Sequence, residues 1–226
     1  MNGRVREGMA VALSSARSIG NRIAIQDAAT ELFLQRGYAG TSMDDVASAA
    51  RVSKQTVYKH FANKDELFSR IILETTAQID HLVDHVAERL RDPEDLPAAL
   101  RALARRFAEA VLDPDTLRLR RVVIATAERF PELGASWYEN GFERVLATLS
   151  QRFAELSAGG QLTIDDPDLA AEHFVGLLLW IPVNRAMFTG AVSPVSPGDL
   201  DRIIDQGVGA FLRAYASTDR PPVPNQ

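Results

Sequence analysis

The chain has 226 residues, a formal net charge of −5 and 46% hydrophobic residues, which is enough apolar material for a packed core. Cysteine is absent, which excludes disulfides, thiolate catalysis and cysteine-based zinc sites. The longest apolar run, over residues 174–183, is about half of the roughly 20 residues that a membrane-spanning helix needs, and no export signal is recognisable. We therefore expect a cytoplasmic protein with no membrane partner.

Helical spacing of apolar residues runs through nearly the whole chain, and Asp-Pro and Ser-Pro pairs supply N-caps followed by first-turn prolines. Ser42 with Asp45, and Asn63 with Glu66, have the spacing of a capping box. The fold class is therefore predicted to be all-α, with about nine helices. The predicted helices cover residues 21–36, 42–50, 53–60, 63–90, 93–111, 114–129, 131–158, 167–189 and 197–216.

Both ends of the chain lie outside this helical pattern. Residues 1–20 are predicted to be a flexible basic arm that contains Arg4, Arg6 and Arg17. Such an arm either enters a minor groove of DNA or only keeps the terminus soluble, and the second role is the simpler one. The Pro-rich segment 217–226 is predicted to be a disordered tail.

Positive charge is concentrated near the start of the chain. Residues 1–64 carry nine Lys or Arg and five Asp or Glu, a net charge of +4, whereas the remaining residues carry a net charge of −9. All three lysines, Lys54, Lys59 and Lys64, lie in one short segment. A basic end on an acidic body is typical of a protein that binds DNA at one end only.

Residues 21–66 are predicted to form a three-helix DNA-binding domain. The short helices from Ser42 and Ser53, preceded by a supporting helix and closed by tight turns, match a helix-turn-helix. Val57 and Phe61 are four residues apart and are expected to face the core, which leaves the polar side chains of the third helix for DNA. Free backbone N–H groups at the helix starts favour phosphate contacts.

The segment Gly37–Phe68, G-Y-A-G-T-S-M-D-D-V-A-S-A-A-R-V-S-K-Q-T-V-Y-K-H-F-A-N-K-D-E-L-F, resembles the DNA-binding domain of the tetracycline-repressor (TetR/AcrR) family of transcriptional regulators. Arg51 occupies a turn position where that family often has glycine, and a left-handed conformation there would cost on the order of 1 kcal/mol. The resemblance implies phosphate contacts from Thr41 or Ser42, Ser53, Thr56, Tyr58, His60 and Lys64, and base reading by Lys54, Gln55 and Lys59.

Residues 67–216 are predicted to form a helical ligand-binding and dimerisation domain. Within it, Leu119–Gly190 resembles the AefR-like C-terminal subgroup. The family resemblance implies release of DNA when a small, often lipophilic effector binds between these helices, although its identity stays open. Bulky apolar residues are candidates for the effector site, while a plain core role is simpler for any single one. The candidates are Phe107, Val111, Ile124, Trp137, Tyr138, Phe142, Phe174 and Leu178.

A homodimer is expected because two reading heads bind the half-sites of a palindromic operator, which lie about one turn of DNA, roughly 34 to 36 Å, or a multiple of it apart. The last two predicted helices carry apolar stripes suited to an intermolecular four-helix bundle. The candidate interface residues are Leu177, Trp180, Ile181, Leu200, Ile203, Ile204, Val208, Phe211 and Leu212.

A metal site is the least supported of the candidate sites. His81 and His85 are four residues apart, with Asp84 nearby and His173 further along the chain. These residue types can bind zinc, but the helix face that carries the first pair is charged and expected to be solvated. We expect no metal and no cofactor.

Two other classes of protein remain as alternatives. An enzyme is not expected, since no Ser/His/Asp set, HExxH motif or Gly-rich phosphate loop is present. A sequence-indifferent DNA binder would need no base-reading residues, whereas Lys54, Gln55 and Lys59 predict a clear preference for one site. The sequence therefore predicts a ligand-responsive DNA-binding regulator, a repressor that leaves its palindromic operator when a small lipophilic molecule binds.

Overall fold

The computed structural model describes residues 2–77, 88, 90–91, 93–191 and 193–217, with the backbone alone for residues 2–17 and 75–77. The regular elements in this part of the chain are helices, which confirms the all-α class. In chain order they are α1 (Asn2–Arg36), α2 (Met43–Ala49), α3 (Lys54–His60), α4 (Lys64–Ala77), α5 (Leu96–Val111), α6 (Pro114–Thr126), α7 (Pro131–Trp137), a π-helix (Tyr138–Glu143), α8 (Arg144–Ala158), α9 (Pro167–Thr189) and α10 (Pro197–Tyr215).

Helix α1 is longer than predicted. Residues 2–20, expected to be a flexible arm, are helical in the structure. This segment contains no proline, and its glycines each cost only about 1 kcal/mol relative to alanine, so nothing in it stops a helix. The side chains of Arg4, Arg6 and Arg17 lie outside the described part of the chain, as does the predicted tail from residue 218 onward.

Local capping begins the helices of the second half of the chain. Asp113, Asp166 and Ser196 each precede a first-turn proline, and each side chain accepts a hydrogen bond from a backbone amide of its own first turn. Helix α5 starts later than the predicted residue 93, because its N-cap is Asp95, whose side chain accepts a hydrogen bond from the Ala98 amide. These short-range hydrogen bonds explain why most helix starts could be predicted.

Two buried clusters organise the helices into a head, α1–α4, and a body, α5–α10. The first cluster joins the head to α6 and α7, since Phe68 of α4 lies 5.2 Å from Phe33 of α1 and 5.6 Å from Phe130 beside α7, ring centroid to ring centroid. The second cluster lies between α5, α8, α9 and α10. The predicted domain boundary at residue 66 falls within the first cluster, because Leu67, Phe68, Ile71 and Ile72 pack in the same core as the residues of α1–α3.

Head and body are also in contact through a continuous helical segment. As predicted for residues 131–158, α7, the π-helix and α8 follow one another without a break. Both α7 and the π-helix pack against α4, and α7 also packs against α6. On the far side of the body, α9 packs on α8 and α10, and α10 packs on α5. The predicted continuation of α4 to residue 90 lies mostly outside the described residues.

No helix in the described part of the chain combines the length and the apolar character that crossing a membrane requires.

Candidate nucleic-acid interface and cavity

The start of α2 is held by the predicted capping box. The Ser42 hydroxyl oxygen accepts a hydrogen bond from the Asp45 amide at 3.1 Å, and the Asp45 carboxylate accepts one from the Ser42 amide at 2.9 Å. These hydrogen bonds from Ser42 lower the pKa of Asp45. The reciprocal pair satisfies backbone donors that the helix itself leaves free, so the direction of α2 is fixed locally.

The turn between α2 and α3 depends on a left-handed arginine. Arg51 has φ of 56°, the only positive φ at a non-glycine residue among the described residues. The amide of Val52 donates to the carbonyl of Ala47 at 3.1 Å, and the amide of Arg51 donates to that of Ser48 at 3.2 Å, which is a Schellman arrangement. Arg51 therefore takes the left-handed conformation, whose cost at a non-glycine residue is on the order of 1 kcal/mol.

Helix α3 presents a polar face. Its N-cap Ser53 accepts a hydrogen bond from the Thr56 amide at 3.1 Å, while Val57 and Phe61 are buried as predicted. The side chains on the other faces of α3 that the sequence marked for DNA are exposed or half-buried. They are Lys54, Gln55, Thr56, Tyr58, Lys59 and His60. Tyr58 is 45% exposed, so a large amphipathic ring stands in solvent on this face.

Lys54 is held by a carboxylate of the preceding helix. Its Nζ atom lies 2.8 Å from Asp44 Oδ1, and this contact raises the pKa of Lys54. Both partners are largely exposed, and exposed ion pairs contribute only about 0–1 kcal/mol. Lys54 can therefore exchange Asp44 for a DNA group at little cost.

Two predicted phosphate contacts occupy other places than expected. Thr41 is 2% exposed, and its hydroxyl donates to the carbonyl of Gly37 at 3.0 Å, so its side chain does not reach the surface. The Lys64 ammonium donates to the carbonyls of Tyr38 and Thr41 at 2.9 and 2.8 Å and lies 4.2 Å from the centre of the Tyr38 ring. Lys64 therefore stabilises the turn before α2, whereas the sequence predicted a lysine available to contact a DNA phosphate.

The same turn connects the head to the body. The Tyr38 hydroxyl donates a hydrogen bond to Asp65, and Arg129, between α6 and α7, lies 3.4 Å from the Asp65 carboxylate. Burial, followed by the hydrogen bond to Asp65, raises the pKa of Tyr38 to about 12. The hydrogen bond from Tyr38 lowers the pKa of Asp65. The Arg129 guanidinium also lies over the rings of Tyr38 and Phe130, at 5.1 and 5.3 Å.

A partly open cavity of about 990 Å³ lies in the body, bounded by α5, α6, the α7 and π-helix segment, α8 and α9. Its wall is mostly apolar, with polar groups at a few points, which is the usual make-up of a small-molecule site. The polar and charged side chains that line it are Arg106, Glu109, Asp113, Thr116, Arg120, Glu172 and Asn184. None of these was predicted from the sequence, because a charged residue at helical spacing is expected to face solvent.

Five of the predicted effector-site residues line the cavity: Phe107, Val111, Trp137, Tyr138 and Phe142. Among them, Tyr138 and Phe142 lie on the π-helix with their rings stacked at 5.6 Å. A π-helical turn shifts the register of the side chains that follow it, and such turns are frequent at functional sites.

The other three effector-site candidates lie elsewhere. Ile124 is 60% exposed on α6 and does not reach the cavity. Phe174 is buried between Phe153 and Phe211, with ring centroids 5.7 and 5.1 Å away. Leu178 packs on α10, where a Cβ built on Gly207 would lie 2.9 Å from its Cδ2 atom. Periodicity showed correctly that Phe174 and Leu178 are buried, but it does not distinguish a packed core from a cavity wall.

The predicted dimer face divides into two groups. Leu177, Trp180 and Ile181 are exposed on α9, where Leu169 and Phe188 add further exposed apolar surface that the sequence had not indicated. The α10 candidates are partly or wholly buried within the chain. Leu200, Ile203 and Leu212 are half-buried, and Ile204, Val208 and Phe211 are fully buried because that stripe faces α5 and α9 of the same chain. Those last three are therefore not interface residues.

The candidate metal ligands do not form a described site. His81, His85 and Asp84 lie outside the described residues, and His173 Nδ1 is 2.7 Å from the hydroxyl of Tyr215. Within the described ranges, no group of three or more His, Cys, Asp or Glu residues is placed to hold a metal ion.

Comparison with known proteins adds to this geometry. Residues 25–71 match the family described as bacterial regulatory proteins, tetR family, and residues 98–217 match the AefR-like transcriptional repressor C-terminal domain. A Mycobacterium tuberculosis protein named as a mycofactocin biosynthesis transcriptional regulator, MftR, is 30% identical over 193 residues, which cover 79% of this chain and 90% of the relative.

Two solved structures are similar over most of the chain. One, named as a TetR-family transcriptional regulator from Mesorhizobium loti, is 44% identical with a TM-score of 0.80 and covers 88% of this chain and 98% of its own. Another, the flavonoid-responsive regulator FrrA, is 29% identical with a TM-score of 0.66 and has the same coverage of 88% and 98%. The similarity therefore includes both the head and the cavity-bearing body.

Proposed function

This chain belongs to the TetR family of DNA-binding transcriptional regulators, with an AefR-like C-terminal domain, and we propose that it is a repressor that leaves a palindromic operator when a small lipophilic molecule fills the cavity. In this role the head reads DNA, two chains pair through α9, and a change in the cavity is transmitted to the head.

DNA reading is assigned to α3. Its N-terminus and that of α2 point backbone N–H groups to the surface beside Ser53 and Ser42, which suits phosphate oxygens. Gln55, Lys59 and, after release from Asp44, Lys54 are the groups for base edges in the major groove. Further phosphate contacts are assigned to Thr56, Tyr58 and His60. The buried Thr41 is left out of this surface.

Pairing is assigned to the exposed apolar face of α9. Leu177, Ile181 and Phe188 are 47%, 60% and 86% exposed, far more than helices in a core allow. A two-fold symmetric contact of this face with itself would place two heads on adjacent half-sites, about one turn of DNA or a multiple of it apart. The half-buried Leu200, Ile203 and Leu212 of α10 would complete the rim.

Transmission from the cavity to the head is the part on which the proposal depends most. Trp137 lines the cavity and at the same time packs against the cluster that contains the head residues Phe33, Phe68 and Ile72. A molecule that moves Trp137 or the neighbouring π-helix therefore changes the packing of α4, which directly precedes the body. A two-state shift with a coupling free energy of about 1–3 kcal/mol corresponds to roughly 5- to 150-fold control of DNA affinity.

The relatives support an effector-controlled protein. FrrA is named as flavonoid-responsive, and SmeT, whose structure is 25% identical with a TM-score of 0.60, is named as the repressor of a multidrug efflux pump in Stenotrophomonas maltophilia. An apolar cavity with a few polar groups suits molecules of that general kind.

The test begins with selection of genomic DNA fragments bound by the purified protein. A palindromic sequence common to those fragments is expected, and a Lys59→Ala variant should retain non-specific binding while losing preference for it. The operator is then titrated at fixed salt with and without a cavity ligand. DNA affinity that is unchanged at saturating ligand would contradict the effector part of the proposal.

A further inference from the structure

One charged side chain of the cavity is unlike the others. Arg120, in the middle of α6, is half-buried, whereas the remaining charged lining residues Arg106, Glu109, Asp113 and Glu172 are exposed. No described residue forms a hydrogen bond or an ion pair with the Arg120 guanidinium. Its neighbour Arg121, in contrast, donates to the carbonyl of Ala186 in α9.

An unpaired guanidinium in a largely apolar wall is costly, because desolvation of a charge is offset only by a partner. Burial lowers the pKa of Arg120, and no carboxylate of the described chain opposes this effect. Arginine nevertheless stays charged in proteins, since the guanidinium pKa lies far above neutral pH. The cavity thus contains a partly desolvated guanidinium whose N–H donors have no partner in the described chain and are open to a ligand.

We propose that Arg120 binds the carboxylate of an amphipathic effector whose apolar body occupies the cavity. The inference rests on the proposed function of the cavity as the effector site and adds the chemical class of the effector. The planar guanidinium can donate two parallel hydrogen bonds to the two oxygens of a carboxylate, a bidentate pairing that a neutral group cannot reproduce. Thr116, one turn earlier on the same face of α6, offers a hydroxyl next to it.

The rest of the cavity accounts for the apolar body. Phe107, Trp137, Phe142, Val145, Leu146 and Leu179 line it. These surfaces favour an alkyl chain or an aromatic ring system over a polar molecule. The effector is therefore expected to have a charged group at one end only.

The charges at the rim limit the charge of the ligand. Glu109, Asp113 and Glu172 are exposed, and each would repel a ligand with two or more negative charges. Screening by water and salt makes that repulsion weak for a single charge held at Arg120. A monocarboxylate therefore fits the cavity better than a phosphate dianion, and a cationic amphipath would leave Arg120 unpaired.

The test uses intrinsic fluorescence, because the only two tryptophans of the chain, Trp137 and Trp180, both line the cavity. Purified full-length protein is titrated with decanoate, decan-1-ol and decylamine, which share one chain length and differ in the head group. Decanoate is expected to bind roughly tenfold or more tightly than decanol. Arg120→Met should remove that difference, because it weakens the binding of decanoate while it changes the affinity for decanol less than about twofold.

Two matched variants complete the experiment. Arg106→Met removes an exposed cation from the same cavity and should retain the preference for decanoate. Arg120→Lys keeps the positive charge but not the planar guanidinium, so it should lose part of the preference for decanoate. This variant also provides a test if Arg120→Met does not fold. Equal binding of decanoate and decanol by the wild type, or a preference for decanoate that survives in Arg120→Met, would overturn the inference.

The failure of this inference can be told from failure of the effector site itself. Gly176 lies on α9 at the cavity, and a Cβ built on it meets no atom within 4 Å, so Gly176→Phe can place a ring in the cavity. Suppose that the wild type binds all three probes equally and that Gly176→Phe binds none of them. The cavity is then the ligand site, but Arg120 does not select the head group. If no probe binds to the wild type, both proposals fall.

Discussion

The guanidinium of Arg129, between α6 and α7, lies 3.4 Å from both carboxylate oxygens of Asp65 in the first turn of α4. This contact connects the body to α4, the last helix of the head, next to the turn that precedes α2. Because the Tyr38 hydroxyl donates to the same carboxylate, any motion of α7 relative to α4 changes a hydrogen-bonded network close to the DNA-reading surface. The position of the head is thus coupled to the body through polar contacts as well as through the shared aromatic cluster.

The Tyr38 and Asp65 pair predicts a dependence of stability on pH. The pKa of Asp65 is lowered from 3.8 by Tyr38, so its contribution is present above pH 3.8 and is lost as pH falls through the lower folded value. The pKa of Tyr38 is raised from 10.0 to about 12, so the contribution of its neutral form is present below pH 10.0 and is lost as pH rises toward 12. Tyr38→Phe should lower the free energy of unfolding by about 1–2 kcal/mol near neutral pH. Thermal melts of both proteins from acid to alkaline pH should show this difference shrinking at each extreme, and a constant difference would count against the pair.

Lys64 is expected to act on stability more than on DNA contact. Lys64→Met removes the donor to two backbone carbonyls and should lower the free energy of unfolding by about 1 kcal/mol or more. Lys59→Met, on the exposed face of α3, should leave stability within about 0.5 kcal/mol of the wild type and weaken DNA binding instead. Urea denaturation and operator titration of the two variants check this. Equal stability of the Lys64→Met and Lys59→Met variants would mean that Lys64 does not stabilise the turn before α2.

Arg51 tests the left-handed turn. Arg51→Gly relieves the strain at φ of 56° and should leave the head as stable as the wild type or more stable by up to about 1 kcal/mol. Arg51→Val places a β-branched side chain in the same conformation and should destabilise the head by about 1–2 kcal/mol. Denaturation midpoints of the two variants are the measurement, and the order Gly above Val is the expected result. The reverse order would exclude the left-handed turn.

Ile181 tests the pairing face. Ile181→Glu should convert the dimer to a monomer at micromolar protein concentration, since a central apolar interface residue contributes about 2 kcal/mol or more. Ile124→Glu is a matched control, because Ile124 on α6 is also 60% exposed. Sedimentation velocity is expected to show monomer for the first variant and dimer for the second. Dimers of both would place the interface away from this face.

Gly176 tests whether the cavity controls the head. Gly176→Ala should raise stability by roughly 0.5–1 kcal/mol, because alanine is favoured inside a helix, and should leave ligand binding intact. Gly176→Phe should retain operator binding but lose its response to ligand, as measured by fluorescence anisotropy of labelled operator. Operator binding that still responds normally in Gly176→Phe would mean that the effector binds elsewhere.

The sequence by itself determined the features of this protein that depend on near neighbours in the chain. The caps at Ser42 and Ser53 and the inward direction of Val57 all follow from hydrogen bonds or periodicity over three or four residues. These interactions are local, so a single sequence is enough to predict them.

Only the tertiary structure decided what the buried faces meet. Lys64 finds its carbonyl partners 26 and 23 residues back along the chain, and Phe174 and Leu178 face a packed core rather than the cavity. Arg120 lines the cavity without a partner among the described residues, although nothing near it in sequence marks it as different from Arg118, which pairs with Asp115, or from Arg121, which donates to the Ala186 carbonyl. Periodicity shows which face of a helix is buried, but the partner of that face depends on how distant helices pack. The candidate effector site, including Arg120, is formed by such long-range packing, so only the tertiary structure could reveal it.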